Sequence, residues 1–346
     1  MLKKKTMDRK RFLHLSALAG IGLGISGHAS AGTAERAWQG KRIGIIGLDT
    51  SHAVAFTKSL NGNNPDPAFM GYRVVAAYPN GSKDIPSSVE RIPGYTADVH
   101  QYGVTITGSI AELLPKVDAV CLETNDGRLH LEQALPVLKA GKPLFIDKPM
   151  TASLKDAVAI FKAAEQYKVP VFSSSSLRYI TGMEEILKGE YGKVTGAQTY
   201  SPATLEKTHP DLFWYGIHGV EILFTAMGPG CRSVVRVHTP DTDVVTGTWG
   251  DGRVGNFRGT RSGKADYGGT VFTEKKIVSL GGFKGYDPLL KEIIRFFETG
   301  KSPVATQDTL DILAFMEAAD ESRRRNGVPV TLESVYKKAN YKTNNV

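Results

Sequence analysis

Arg42-Ile43-Gly44-Ile45-Ile46-Gly47, running on into Leu48-Asp49-Thr50-Ser51-His52, is the stretch that decides the fold. A short β-branched run that ends in glycine reads as a strand buried on both faces. The polar residues after it lead into a helical pattern over residues 53–60. The same alternation continues downstream. Strand-like runs fall at 73–78, 118–123, 143–146 and 169–173, and helical patterns at 110–114, 129–140 and 154–167. Gly141-Lys142-Pro143 and Lys168-Val169-Pro170 stop the last two helices. Such alternation is the signature of βαβ units and a doubly wound parallel sheet.

Beyond Ser176 the pattern changes to turn-rich strands at 194–200, 233–238, 244–248, 253–258, 269–273 and 275–280. Helical periodicity returns at 288–299 and 306–326. The fold class expected is therefore α/β. Residues 41–175 form a nucleotide-binding parallel domain, and 176–340 form an α+β domain with an open, mainly antiparallel sheet for substrate binding and oligomerisation.

A strand running into a glycine is where a Rossmann domain places its phosphate turn, at a helix N-terminus. Of the glycines in the pattern G-x-G-x-x-G, only Gly47 is present, and Asp49 stands where a doubly anionic pyrophosphate would approach. Three readings are open. Asp49 turns away and the helix is capped through Thr50 or Ser51, or the cofactor sits displaced, or the site has lost its dinucleotide. Gly47, Leu48, Asp49, Thr50, Ser51 and His52 are the candidate phosphate-side residues.

Further on, Leu122-Glu123-Thr124-Asn125, His130 with Glu132-Gln133-Ala134, Ala140-Gly141-Lys142 and Phe145-Ile146-Asp147-Lys148-Pro149 follow in order. This succession resembles the Gfo/Idh/MocA oxidoreductases, and the likeness extends along nearly the whole chain beyond the N-terminal segment. The resemblance implies a bound NAD or NADP near Thr124, Asn125, His130, Asp147 and Lys148. It also implies a small-molecule carbohydrate substrate and a homo-oligomer. The second strand ends in Ala77-Tyr78-Pro79-Asn80-Gly81-Ser82-Lys83 without the acid that many members use on the ribose. Ser82 and Lys83 would accommodate a 2′-phosphate, and an ordinary turn explains the same residues equally well.

Lys148 is implied as the catalytic lysine, ending a strand beside the nicotinamide and polarising the substrate oxygen. His218 matches the family's histidine, an acid/base suited to neutral pH. Trp214 replaces the aspartate four residues before it, and Glu221 the later one. Tyr215 is a candidate proton donor in its stead. Arg178, His209 and Trp214 are candidate substrate contacts, with Arg178 equally able to anchor one domain to the other. His52, Asp49, His130 and His209 show no ligand spacing, so no metal is assigned. The activity implied is oxidation or reduction of a sugar, glycoside or cyclic polyol, with a tightly held, internally recycled cofactor as one form. A redox-neutral keto-sugar lyase step and a cofactor-free carbohydrate-binding descendant are the alternatives.

Composition fits this reading. The 346 residues are 41% hydrophobic, enough for two cores, and carry a formal charge of +8. Six cations and one acid before Gly32 account for +5 of that charge, leaving +3, which gives no reason to expect nucleic-acid binding. The basic cluster precedes a small and apolar run, residues 12–27, and then Ala29-Ser30-Ala31. Residues 1–31 thus read as an export signal, with Arg9-Lys10-Arg11-Phe12-Leu13 resembling a twin-arginine motif. A periplasmic, signal-cleaved protein without stable membrane association is expected. Cys121 and Cys231 leave a disulfide open and make no metal site by themselves.

Overall fold

The computed structural model describes residues 41–341, so the expected export signal over residues 1–31 lies outside the described residues. Six strands, β1 (Arg42–Ile46), β2 (Arg73–Tyr78), β3 (Thr105–Ile106), β4 (Ala119–Leu122), β5 (Leu144–Asp147) and β6 (Val171–Ser174), form one parallel sheet in the order β3-β2-β1-β4-β5-β6. Every residue of β4, β5 and β6 is buried, which is why these segments read as unbroken apolar runs. The connecting helices are α1 (Ser51–Asn61), α2 (Pro86–His100), α3 (Ile110–Leu113), α4 (His130–Lys139) and α5 (Leu154–Tyr167). The strand order reverses direction between β1 and β4, and the carboxyl ends there open a crevice for ligands.

Helix α2 has no counterpart in the sequence reading. It contains Pro93 and buries only Ser88 and Val99, so it carries no apolar stripe to betray it.

The second sheet has seven strands, β7 (Val194–Pro202), β8 (Cys231–His238), β9 (Thr242–Trp249), β10 (Val254–Thr260), β11 (Gly268–Thr273), β12 (Ile277–Gly281) and β13 (Val330–Thr331), ordered β12-β11-β7-β10-β9-β8-β13. Its pairings are antiparallel except for β7 with β10, which run parallel because the chain crosses over between them. That crossover carries α7 (Asp211–Trp214) and α8 (Ile217–Met227), after the earlier α6 (Met183–Leu187). All of α8 is buried, as expected of a helix that is apolar on every side.

Of the three closing helices, α9 (Asp287–Thr299), α10 (Thr306–Arg324) and α11 (Leu332–Lys338), the first departs from expectation. Sequence order places α9 with the second domain, yet its Leu289, Ile293, Phe296 and Phe297 are buried in one cluster with Ile43, Phe56, Phe145 and Phe172 of the first. The apolar stripe of α9 is thus spent on the parallel sheet.

Arg236 of β8, fully buried, ties the second domain together. Its guanidinium donates to Asp243 at 2.8 Å, Asp320 at 2.5 Å and Asp211 at 3.0 Å, joining β9, α10 and α7. Cys121 and Cys231 are buried free thiols. Among the described residues no helix is long and apolar enough to cross a membrane.

Candidate active site

Gly47 sits where β1 meets α1 with φ +92°, and a Cβ there would lie 2.3 Å from the Thr124 backbone nitrogen. Only glycine allows the β1 turn to close onto the end of β4. Leu48 is buried. Thr50 caps α1, its hydroxyl accepting from the His52 amide at 3.1 Å.

Asp49 is fully buried and faces away from that helix. One carboxylate oxygen accepts from the Asn125 amide at 2.9 Å and the other from the Ser88 hydroxyl at 2.6 Å. Burial raises its carboxyl above the usual range against the pull of these hydrogen bonds. Of the three readings, the structure matches the one in which Asp49 turns away, with Thr50 doing the capping.

A cleft of about 630 Å³ runs from this turn across the carboxyl ends of the strands to α8. Thr50, Ser51, His52, Asn125, Lys148, Trp214, Tyr215 and His218 line it, so phosphate-side and chemistry-side candidates meet in one space. It reaches Ser87, Arg91 and Tyr95 on α2, and Tyr267 and Tyr286 from the second half. These last five were not legible in the sequence, because they lie on a helix without a stripe or in loops.

His218 is buried in α8, its Nδ1 2.7 Å from the hydroxyl of Ser175, just after β6. That hydroxyl also accepts from the Leu177 amide at 3.1 Å. Ser174 donates to Glu221 one turn further along α8, at 2.8 Å, so the serines fix the helix to the end of β6. Burial first, then the nearby Lys148 and His52, hold the His218 imidazole well below its ordinary range. The ring is therefore neutral near pH 7, and His218 lines the cleft. Tyr215 and Tyr267 stand edge-on to it, with centroids at 5.3 and 5.6 Å. Burial and a hydrogen bond with Tyr215 push the Tyr267 phenol upward.

Lys148 is almost wholly buried, its Nζ 3.9 Å from Asp147. Asp147 and Glu123 are fully buried side by side with His52. Burial and the Asp147 charge push Glu123 well up. Asp147 feels the same burial, but His52 and Lys148 prevail and bring it down to about 2.

Other expected residues take different duties. Arg178 donates to Glu221 at 3.0 Å, a pairing within residues 176–340. His209 is buried against Asp126, Nε2 to Oδ1 3.2 Å, with its ring 5.0 Å from Trp214. His130 meets the backbone carbonyls of Thr124 and Met150 through its two nitrogens, at 2.6 and 2.9 Å. Ser82 is turned inward, donating to Asp84 at 2.7 Å beneath Arg128, while Lys83 is exposed. Asp49, His130 and His209 thus lie against separate neighbours, whereas His52 is grouped with Glu123 and Asp147.

Fold and cleft together give a dinucleotide-binding parallel sheet beside a second, mainly antiparallel sheet, with Lys148 and His218 lining the cleft. Residues 41–175 match the Gfo/Idh/MocA family model, described as "Oxidoreductase family, NAD-binding Rossmann fold", so this part of the chain is similar to that family. A 1,5-anhydro-D-fructose reductase from Ensifer adhaerens is 31% identical over 162 residues, which is 45% of this chain and 45% of the reductase. The matched stretch thus spans under half of that relative's length. A structure described as a probable dehydrogenase from Thermotoga maritima superposes with TM-score 0.69 at 19% identity, over 85% of this chain and 99% of that one. The myo-inositol dehydrogenase from Lactobacillus casei, in complex with NAD(H) and myo-inositol, gives 0.66 at 16% identity, over 84% and 96%. These likenesses establish the shared fold.

A nicotinamide dinucleotide fits the residues present. The Gly47 cradle has no room for a side chain, Asp49 is withdrawn, and Thr50 and Ser51 face the cleft at the positive end of α1.

Proposed function

We propose that this chain is a nicotinamide-dependent oxidoreductase acting on a hydroxyl or keto group of a sugar, glycoside or cyclic polyol. The observation that carries the reading is that Lys148 and His218 line one cleft with the α1 N-terminus. A bound nicotinamide supplies hydride transfer. Lys148 would polarise the reacting oxygen, and His218 Nε2 would hold or move its proton. The Ser175 hydroxyl can donate to Nδ1 or accept from it, so it supports both tautomers and both directions of transfer. Trp214, Tyr215 and Tyr267 give the stacking walls a sugar ring favours.

Ser82 is engaged by Asp84, and Arg128 by Asp84 and Asp126, so the groups that would meet a 2′-phosphate are already paired, which supports NAD over NADP. An exported enzyme would need a tightly held cofactor recycled within the site, so we read residues 1–31 as sending a folded, loaded protein to the periplasm. The outward face of the second sheet carries Tyr200, Val237 and Val254, with Val237 63% exposed, and supports assembly of copies through it.

Mass spectrometry of the gently purified protein tests the central claim. NAD(H) near one per chain is expected, together with sugar-dependent absorbance change at the reduced nicotinamide band that Lys148→Met removes. Absence of bound dinucleotide, with no binding on addition, would instead favour the cofactor-free carbohydrate-binding reading.

A further inference from the structure

Glu123 follows β4, Asp147 ends β5, and His52 lies in the first turn of α1, so three neighbouring segments converge at the switch point of the sheet. One nitrogen or oxygen from each lies within 4.8 Å of the others. His52 Nδ1 is 3.0 Å from Asp147 Oδ2 and 3.9 Å from Glu123 Oε2. The shorter distance is off the line of an N–H···O bond. Nδ1 and all four carboxylate oxygens have no hydrogen-bond partner.

Such an arrangement is costly for side chains meant only to support the fold. Buried carboxylates are ordinarily hydrogen-bonded or paired with a cation, and here Lys148 reaches only Asp147, at 3.9 Å. One imidazole nitrogen and two carboxylates are the donors that first-row divalent ions take, often with further positions left for water or substrate. His52 also lines the cleft, so an ion held there would border the substrate space.

We infer that His52, Glu123 and Asp147 bind one divalent first-row metal ion, such as Mn²⁺ or Zn²⁺, beside Lys148. His52 stands where the glycine pattern would have its third glycine, so the departure from that pattern is what builds the site. This inference does not rest on the dinucleotide reading.

The full protein, stripped with a chelator and reloaded separately with Mn²⁺ and Zn²⁺, provides the test by elemental analysis and calorimetry. One ion per chain is expected, with affinity lowered at least about tenfold in His52→Asn and Glu123→Gln. Nitrogen hyperfine structure in the Mn²⁺ spin-resonance spectrum should disappear in His52→Asn. Should Glu123→Gln fail to fold, Glu123→Asp keeps the charge and should retain the ion. Failure of the wild-type chain to take up either ion, or equal uptake by His52→Asn, overturns the inference whether or not NAD is bound.

Discussion

The Ser175 hydroxyl lies 2.7 Å from Nδ1 of His218, the ring nitrogen other than the Nε2 proposed to hold the substrate's proton. Removing His218 as alanine is expected to lower kcat by about 10²–10⁴-fold. Ser175→Ala, which loses one hydrogen bond, should cost about tenfold, and Ser175→Thr should restore most of it. Steady-state kinetics separate the three.

Protonation of His218 has a defined sign. Burial and the charges of Lys148 and His52 lower its folded pKa below the ordinary 6.5, so its stabilising contribution is present above pH 6.5 and is lost as pH falls through the folded value. Lys148→Met removes one like charge and should move the His218 titration upward. Imidazole resonances followed from pH 4 to 8 in both proteins give the answer. A downward or null shift would contradict the electrostatic account.

Asp49→Ala should act in opposite senses on stability and on ligand affinity. It leaves the Asn125 amide and the Ser88 hydroxyl without their acceptor, at a cost of about 1–3 kcal/mol. It also removes a carboxylate next to the phosphate turn, so dinucleotide should bind more tightly. Urea denaturation and a dinucleotide titration measure the two effects.

Much of this fold was legible because the strands are short β-branched runs bounded by glycine and proline. Residues 42–46 and 73–78 are strands as read, and α5 begins and ends where its periodicity does. The order of motifs up to Lys148 pointed to the reactive end. What was not legible arises where no local pattern exists. Helix α2 has no stripe, α9 has a strong stripe whose partner is some 240 residues away in the chain, and Tyr267 and Tyr286 come from loops. Glu123 does carry a local signal, a carboxylate closing an otherwise apolar strand. The run Ser173 to Ser176 has no local pattern of its own, and only packing shows that Ser174 holds Glu221 and Ser175 holds His218.

Gly219, beside His218, makes a further point about magnitudes. Alanine there would gain about 1 kcal/mol of helix propensity. Its Cβ, however, would meet the Phe257 ring at 2.2 Å and push α8 off the sheet, and such overpacking costs about 1–3 kcal/mol. Gly219→Ala should therefore be no more stable than wild type by thermal unfolding, and should lower kcat because His218 moves with the helix.

Arg236 serves three carboxylates at once. Arg236→Met strands Asp320 in the interior, whereas Asp243 keeps Arg261 and His238, and is expected to destabilise the protein by about 3–5 kcal/mol. Replacing Asp320 by asparagine in the same background should recover part of the loss, which chemical denaturation of the single and double variants would reveal.

Helix α9 makes the chain indivisible at the place where a dissection would naturally cut it. A fragment ending at Ser175 would present Phe56, Phe145 and Phe172 to water, since the side chains that cover them arrive more than a hundred residues later. Exchange of the first domain between relatives must therefore carry residues 287–299 with it. During synthesis the parallel sheet waits, incompletely roofed, until the second sheet has left the ribosome, so a chaperone-accessible intermediate is written into the order of the segments.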